Sequence, residues 1–171
     1  MESEQKETLA KRVFARLKND SAFRAALKRA DNPATEYQCW EYLVDYGVHL
    51  DKDRERLPCA LVLAAIAKSR RESDGALGLG AALCAAYEWK RESDPARSKL
   101  RRILACSDVP ELCSVLRPVL QFIAGKNVAV SYQSLLDDLR YFGDGERVKS
   151  KWAQQFYGTS ADAENAGEEN A

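Results

Sequence analysis

The side chains that could carry acid–base chemistry are few in this sequence. His49 is the single histidine, which removes most acid–base schemes and most schemes in which a histidine activates a nucleophile. Asp137 and Asp138 form an adjacent acid pair, but neighbouring helical positions point about 100° apart and do not converge on a metal ion. We therefore expect no catalytic activity, no cofactor and no metal site, with His49 and both acids at the surface.

The cysteines are unsuited to a zinc site or a disulfide framework. They are odd in number, far apart, and include no C-x-x-C pair, whereas zinc sites require closely spaced ligands. Most lie in apolar segments with helical spacing, so we expect buried free thiols in a reducing compartment. The five are Cys39, Cys59, Cys84, Cys106 and Cys113.

The segment "DGALGLGAAL", residues 74–83, concentrates glycines in a way that could hold a phosphate group. A dinucleotide fingerprint requires a strand before a G-x-G-x-x-G register. Here only Gly78 and Gly80 fit, because Leu83 occupies the place of the third glycine and a charged segment precedes them. We interpret the segment as a hinge followed by a helix whose small residues allow close packing.

Several basic residues recur four positions apart, which puts each pair on one helix face. Like charges at this spacing repel slightly, and an external phosphate would relieve the repulsion. Ordinary surface charge is an equally good explanation, because a sequence this rich in lysine and arginine contains such pairs by chance. The pattern alone gives a weak hypothesis of phosphate-backbone binding. Four such pairs are Arg12 and Arg16, Arg24 and Lys28, Arg97 and Arg101, and Arg147 and Lys151.

The charge of the chain is balanced overall but uneven along its length. The formal net charge is +0, with 26 basic and 26 acidic residues. The last segment carries four acids and no basic residue. Residues 1–159 therefore have 26 basic and 22 acidic residues, a formal charge of +4. This mildly basic balance does not by itself identify a nucleic-acid binder. We expect residues 159–171 to form a disordered acidic tail, with partner binding as an alternative role.

Apolar residues recur at helical spacing along almost the whole chain, and the resulting helices must position the basic residues. Val148, Trp152 and Phe156 repeat every four residues, as on one face of a helix. Residues 57–67, "LPCALVLAAIA", are apolar on all sides, which is typical of the buried centre of a bundle. Only "NVAVSY" could form a strand. The sequence predicts an all-α fold of two small helical bundles with eight or nine short helices.

The charged segment "KSRRESDG" breaks the helical pattern and is a candidate joint between two halves. We predict an N-terminal helical lobe at residues 8–70, a linker at 71–78 and a C-terminal helical lobe at 79–158. No apolar run reaches the roughly 18 residues of a membrane span, and the N-terminus "MESEQKETLAKRVF" lacks the features of an export signal. We expect a cytoplasmic protein with no membrane contact.

Side chains that cap helix N-termini mark three helix starts in the second half. We expect Asp94 to cap a helix with Pro95 in its first turn. Asp108 and Glu111 have the spacing of a capping box. Ser131 precedes an apolar repeat and is the third expected cap.

The C-terminal stretch "VSYQSLLDDLRYFGDGERVKSKWAQQFYG" resembles the signature of the CasB family, the small subunit of the type I-E CRISPR surveillance complex Cascade. In that family a helix with a tyrosine and L-L-x-D-L continues through an aromatic residue and a glycine into a basic helix ending in W-A-x-x-F-Y. "GLGAAL", "ARSKLRRIL" and "LRPVL" are similar to upstream family segments. The resemblance covers residues 8–158 and is looser in the first half. The matching residues are Tyr132, Leu135, Leu136, Asp138, Leu139, Phe142, Gly143, Arg147, Lys149, Trp152, Ala153, Phe156 and Tyr157.

The resemblance implies a two-lobed helical protein without catalytic activity, present as two copies along the Cascade complex. Its implied partners are a second copy of the chain, the CasC backbone, the CasA large subunit and the single-stranded DNA of the R-loop, with the guide RNA as a further candidate. Basic side chains would hold the nucleic-acid backbone and stabilise the R-loop, while base pairing with the guide reads the sequence. The alternative is a purely structural helical adaptor without nucleic-acid contact.

Carried onto this chain, the resemblance assigns a basic groove to residues of both predicted lobes. Lysine and arginine suit this role because they aim charges and forked donors at phosphate oxygens. We expect the tryptophans Trp40, Trp89 and Trp152, which mostly fall at core spacing, to pack and not to stack on bases. The groove candidates are Arg24, Lys28, Arg29, Arg97, Lys99, Arg101, Arg117, Arg147 and Lys149, with Arg102 competing with Arg101 for one role.

Overall fold

The helical spacing of apolar residues yields nine α-helices within the range that the structure describes. The structure is a computed structural model that describes residues 6–158, without the side chains of residues 144 and 145. The expected all-α fold is confirmed, and the predicted acidic tail, residues 159–171, lies outside the described residues. The helices are α1 (Leu9–Leu17), α2 (Ser21–Lys28), α3 (Trp40–Asp45), α4 (Asp53–Lys68), α5 (Leu79–Ala86), α6 (Asp94–Leu104), α7 (Val109–Gly125), α8 (Tyr132–Arg140) and α9 (Gly145–Tyr157).

Two of the three predicted helix caps in the second half are confirmed. The Asp108 carboxylate accepts a hydrogen bond from the Glu111 amide at 2.9 Å, and the Ser131 hydroxyl accepts one from the Ser134 amide at 3.2 Å. The cap at Asp94 is wrong, because Ser93 caps α6 and Asp94 is its first helical residue. Both side chains are good caps, and pattern alone does not choose between two such neighbours.

Helix α4 forms the centre of the fold, as its all-round apolar sequence predicts. Its residues 58–67 are all buried, and it packs against α1, α2, α3, α7 and α8. A helix with so many neighbours needs no polar face, which explains the missing amphipathic pattern. None of the described helices is long and apolar enough to cross a membrane.

The segment between α4 and α5 is fastened to the residues that precede α8. The amides of Gly75 and Leu77 donate to the carbonyls of Val130 and Ala129 at 3.1 and 3.0 Å, and Leu77 and Val130 form an isolated parallel bridge. "NVAVSY" thus contributes a single bridge and not a strand. Buried residues from both predicted lobes belong to one hydrophobic cluster. The lobe boundaries at 8–70, 71–78 and 79–158 stay a prediction.

The glycines of residues 74–83 allow close approach, Gly80 between two helices as predicted and Gly75 against the segment before α8, while the predicted hinge stays a prediction. A Cβ atom at Gly80 would collide with the backbone carbonyl oxygen of Trp152, and one at Gly75 with that of Ala129. The Gly80 amide also donates to the Gln155 side chain at 3.1 Å. The absence of side chains here lets α5 lie directly against α9, so the segment fixes the position of the basic helix α9.

Candidate nucleic-acid interface

In each of the four basic pairs, one side chain is hydrogen-bonded to other groups of the protein, and the other has no such bond among the described residues. Arg24 donates to the carbonyl oxygens of Ala67 at 2.9 Å and Leu17 at 3.5 Å. Arg97 donates to the carbonyl oxygen of Arg91 at 2.9 Å and lies 3.4 Å from the Glu92 carboxylate.

The anchored members of the other two pairs are bound by carboxylates. Arg16 pairs with Asp20 at 3.2 Å, and the pKa of the Asp20 carboxyl is held below its ordinary value by the Phe23 amide and then by Arg16. Lys151 pairs with Asp138 at 2.8 Å. These anchored charges orient helices and are poorly available to an outside phosphate.

The other member of each pair keeps its charge free of acidic partners among the described residues. Arg12 lies over the Tyr46 ring, 5.0 Å from its centroid, which leaves the guanidinium edge open. Lys28, Arg101 and Arg147 are exposed. These side chains are the ones that a phosphate could bind without first breaking a contact within the protein.

Four further candidates, outside these pairs, have contacts of different kinds. Arg29 donates to Gln38 at 2.9 Å. Lys99 lies over the rings of Tyr87 and Phe122, at 5.5 and 5.2 Å from their centroids. Both side chains keep donors available for a phosphate. The bond to Gln38 uses one nitrogen of the Arg29 guanidinium, and the cation–π contacts leave the ammonium hydrogens of Lys99 free.

The two remaining candidates lie on α7 and α9. Lys149 lies 5.7 Å from the centroid of the Phe142 ring. The Nε atom of Arg117 is buried without a hydrogen-bond partner among the described residues. A buried unpaired donor is costly, but a buried atom cannot reach an outside phosphate, so this observation does not support Arg117 as a groove residue and its role stays a prediction.

No two of the nine candidates line the same groove among the grooves described below. Arg147 lines a groove of about 490 Å³ between α8 and α9, which we call the α8–α9 groove. Arg24 lines a separate groove at the turn between α1 and α2. The other seven line neither. The lining of the α8–α9 groove includes Asp137, Asp138, Arg140, Tyr141, Arg147 and Lys151.

A second groove continues from the first on the other side of Arg140 and Tyr141. We call it the α4–α8 groove; it measures about 590 Å³, and its lining includes Tyr46, His49, Arg54, Glu55, Arg140 and Tyr141. Its arginines were missed in the sequence because no basic residue lies four positions from either. The signal that could have found Arg140 is its position directly before the aromatic pair of the family motif, "RYFG".

The acids of the two grooves are mostly satisfied within the protein. The expectation that both acids of the pair lie at the surface is wrong for Asp138, which is buried. Its burial is compensated by two donors, Trp152 Nε1 at 2.9 Å and Lys151 at 2.8 Å. Glu55 accepts from His49 at 2.8 Å, and this contact lowers the pKa of its carboxyl. Asp137 accepts a hydrogen bond from the Gln133 amide group at 3.0 Å. Only Asp137 among these acids has no cationic partner within the described residues, whereas Arg54, Arg140 and Arg147 have no acidic one.

Burial holds the thiols of Cys39 and Cys113 in their protonated form, because it raises their pKa values to about 12. All five cysteines are buried. A thiol with such a pKa is a poor nucleophile at neutral pH. Within residues 6–158 no group of three histidine, cysteine or acidic side chains is arranged to hold a metal ion.

The expected packing is confirmed for Trp152 and holds only in part for Trp40 and Trp89, while the expectation that none of the three stacks on bases stays a prediction. Trp152 is completely buried, but Trp40 and Trp89 remain 38% and 39% exposed. Trp40 begins the short helix α3, in which Leu43 takes the core position. Trp89 lies in a turn with a left-handed backbone, at φ 61°, which directs it away from the helix face that its spacing predicts.

Fold and surface together define a small all-helical protein with cations directed outward from several helices and an exposed aromatic residue between two grooves. Residues 23–157 match the family of CRISPR-associated protein Cse2. The chain belongs to this family, which confirms the resemblance to CasB seen in the sequence. No curated protein matches the chain.

Solved structures with the same fold cover almost the whole chain. A chain of a CRISPR RNA-guided surveillance complex matches with a TM-score of 0.75 and 21% identity, over 92% of this chain and 94% of that one. CasB from M. ruber matches with a TM-score of 0.70 and 25% identity, over 94% and 99%. CasB from Thermus thermophilus matches with a TM-score of 0.66 and 23% identity, over 90% and 100%.

Proposed function

We propose that this chain is a non-catalytic small subunit of a type I-E Cascade surveillance complex that binds nucleic-acid backbone and stabilises the R-loop. Membership of the Cse2 family and likeness to a chain of an RNA-guided surveillance complex support the assignment to the complex. In this proposal the guide RNA reads the sequence by base pairing, and this chain contacts phosphates. The proposed partners are a second copy, the CasC backbone, the CasA large subunit and single-stranded DNA, with guide RNA as a further candidate, in the cytoplasm.

The proposed binding of nucleic acid rests on one observation, the division of the basic pairs into anchored and free members. Arg101 and Arg147 are exposed and without acidic partners among the described residues, while Arg97 and Lys151 on the same helices are bound internally. Exposed cations cost little stability whether or not they are paired, so the division identifies which cations a strand could bind without first breaking an internal contact. Free cations on separate helices suit the spaced phosphates of a strand.

The modest charge of the chain fits a subunit that acts within an assembly. Residues 1–159 carry only +4, so the isolated protein should bind weakly and with strong salt dependence. In a complex the neighbouring subunits and the guide duplex raise the effective concentration of the strand. A modest number of phosphate contacts is then sufficient.

Charge reversal of the free cations tests the proposal. We expect the double variant Arg101→Glu, Arg147→Glu to lose most of the affinity of the full chain for single-stranded DNA. Each lost phosphate contact should also reduce the slope of log K against log salt by about 0.7. The measurement is fluorescence anisotropy with labelled single strands of unrelated sequence at several salt concentrations.

The matched control is the double variant Lys11→Glu, Lys90→Glu, which changes the net charge equally. Both lysines are exposed and paired with a nearby glutamate. The control should keep most of the affinity, because each of these lysines is already paired with a glutamate of the protein, whereas Arg101 and Arg147 have no acidic partner among the described residues. Equal losses in the two variants would mean that only net charge matters and would contradict a specific interface.

A structural adaptor remains the second candidate, and exposed apolar side chains favour it. Trp40 and Val44 lie four residues apart on α3, hence on one helix face, and Val44 is 55% exposed. An adaptor would assemble with the larger subunits after Arg101→Glu, Arg147→Glu substitution and would not bind DNA in the unsubstituted form. Loss of DNA binding with intact assembly supports the proposed function instead.

A further inference from the structure

The most exposed aromatic side chain among the described residues lies where two grooves lined by cations meet. Tyr141 is 74% exposed, and it lines both the α8–α9 groove and the α4–α8 groove. Arg140 lines both grooves as well, Arg54 lines one and Arg147 the other. An aromatic ring is thus placed between cations on either side, which distinguishes it from an isolated surface tyrosine.

The backbone around Tyr141 holds its ring at the surface. The Tyr141 amide donates to the Asp137 carbonyl at 3.1 Å at the end of α8. The next residue, Phe142, is buried with its ring stacked near Trp152, with centroids 6.4 Å apart. Trp152 is in turn fixed by Asp138 at 2.9 Å. Because Phe142 occupies the inward position, the core offers no place for the Tyr141 ring.

The cations around the ring are available for phosphate. Arg54, Arg140 and Arg147 have no acidic partner among the described residues, and Arg140 reaches only the Cys59 sulfur, at 3.5 Å. The neighbouring acids Asp138 and Glu55 pair with Lys151 at 2.8 Å and with Lys52 at 3.6 Å. The three arginines therefore outnumber the single acid without a cationic partner, Asp137.

We propose that Tyr141 is a stacking platform for an unpaired base of the bound strand, with Arg54, Arg140 and Arg147 holding phosphates on its two sides. The inference rests on the proposed function, which assigns only phosphate contacts, and adds a contact between one side chain of this protein and an unpaired base. Aromatic stacking beside a cationic groove is tolerant of sequence, because every base presents a π-face. A duplex keeps its bases stacked on each other and gains nothing from the ring.

The test compares binding of a single strand that carries bases with binding of an abasic strand of equal length and charge. We expect the unsubstituted full chain to prefer the base-bearing strand. Tyr141→Ala should weaken that binding by about five- to a hundred-fold, the range of one lost base stack. It should leave the affinity for the abasic strand and the salt slope unchanged, because no phosphate contact is lost. Tyr141→Phe should retain the preference.

The matched control is Tyr37→Ala, which removes a second highly exposed tyrosine, 60% exposed, outside both grooves. It should leave both affinities unchanged. Thermal unfolding checks that each variant is folded, and the exposure of both rings predicts little loss of stability.

The outcomes separate the stacking proposal from the proposed function. Equal binding of base-bearing and abasic strands, unaffected by Tyr141→Ala, overturns stacking and leaves backbone binding in place. An equal loss of duplex binding in Tyr141→Ala also overturns it, because a paired base cannot reach the ring. No binding of either strand by the unsubstituted chain at low salt overturns both. A loss confined to the base-bearing strand supports both.

Discussion

The thirteen residues of α9 are divided between an inner side that packs against the core and an outer side that faces a groove. On the inner side Val148, Trp152 and Phe156 are buried, and α5 approaches so closely that Gly80 has no room for a Cβ atom against the Trp152 carbonyl. On the outer side Arg147 and Lys151 line a groove with Tyr141. Residue choice on the inner side is determined by close packing, and on the outer side by charge.

The difference indicates how the effects of substitutions should divide. Removing inner side chains should unfold the protein and affect binding only through stability. Removing outer side chains should change binding with little effect on stability. Lys151 connects the two sides, because its ammonium lies on the outer side while its partner Asp138 also accepts from the buried Trp152.

The largest effect is expected from Trp152→Ala on the inner side. Trp152 is completely buried, and truncating a buried tryptophan costs about 3–5 kcal/mol of unfolding free energy. Loss of the indole also removes one donor from the buried Asp138 carboxylate. Urea unfolding followed by circular dichroism measures the effect. A loss below about 1 kcal/mol would contradict the close packing of α9 against α5.

Trp152→Phe separates packing from hydrogen bonding and stays informative where Trp152→Ala does not fold. The phenyl ring keeps most of the apolar contact with Phe142 but cannot donate to Asp138. We expect a loss of about 1–3 kcal/mol, the cost of leaving a buried acceptor without one of its donors. Stability equal to the unsubstituted chain would show that the 2.9 Å bond contributes nothing net.

Most of the inner side could be predicted from the sequence. Val148, Trp152 and Phe156 follow the four-residue repeat, and the capping of α8 by Ser131 follows from a serine before an apolar repeat. Such features depend on residues within one turn of each other. Trp89 illustrates the limit, because its direction depends on a left-handed turn, φ 61°, that spacing does not reveal.

The outer surface was only partly predictable, since its grooves join distant parts of the chain. The four-residue spacing identified Arg147, but it did not tell the free member of a pair from the anchored one. That distinction depends on contacts such as Arg24 with the Ala67 carbonyl, 43 residues away. Arg54 and Arg140 meet only because α4 packs against α8.

The next effect in size on the unfolding free energy is expected from Gly80→Ala, with Gly125→Ala in another helix as the comparison. A Cβ atom at Gly80 would collide with the Trp152 carbonyl, whereas one at Gly125 meets nothing within 4 Å. We expect Gly80→Ala to cost about 1–3 kcal/mol through forced separation of α5 and α9. Gly125→Ala should stabilise α7 by about 0.5 kcal/mol, because it lowers the entropy of the unfolded chain. Paired urea unfolding curves measure both, and equal signs would contradict the close approach at Gly80.

The smallest effect on stability is expected at the outer side, from Arg147→Ala. Arg147 is exposed and has no acidic partner among the described residues, so its removal should change the unfolding free energy by less than about 0.5 kcal/mol. The same substitution should reduce the salt slope of single-strand binding by about 0.7, one phosphate contact.

Lys151→Ala, one helical turn further along α9, should show the reverse balance. It removes the cation from the buried Asp138, so it should cost more stability than Arg147→Ala and change the salt slope less. Unfolding and salt titration of the two variants side by side give both quantities. If Lys151→Ala changed the slope as much as Arg147→Ala, the internal ion pair would not withhold its charge from DNA, and the division into anchored and free cations would lose its functional meaning.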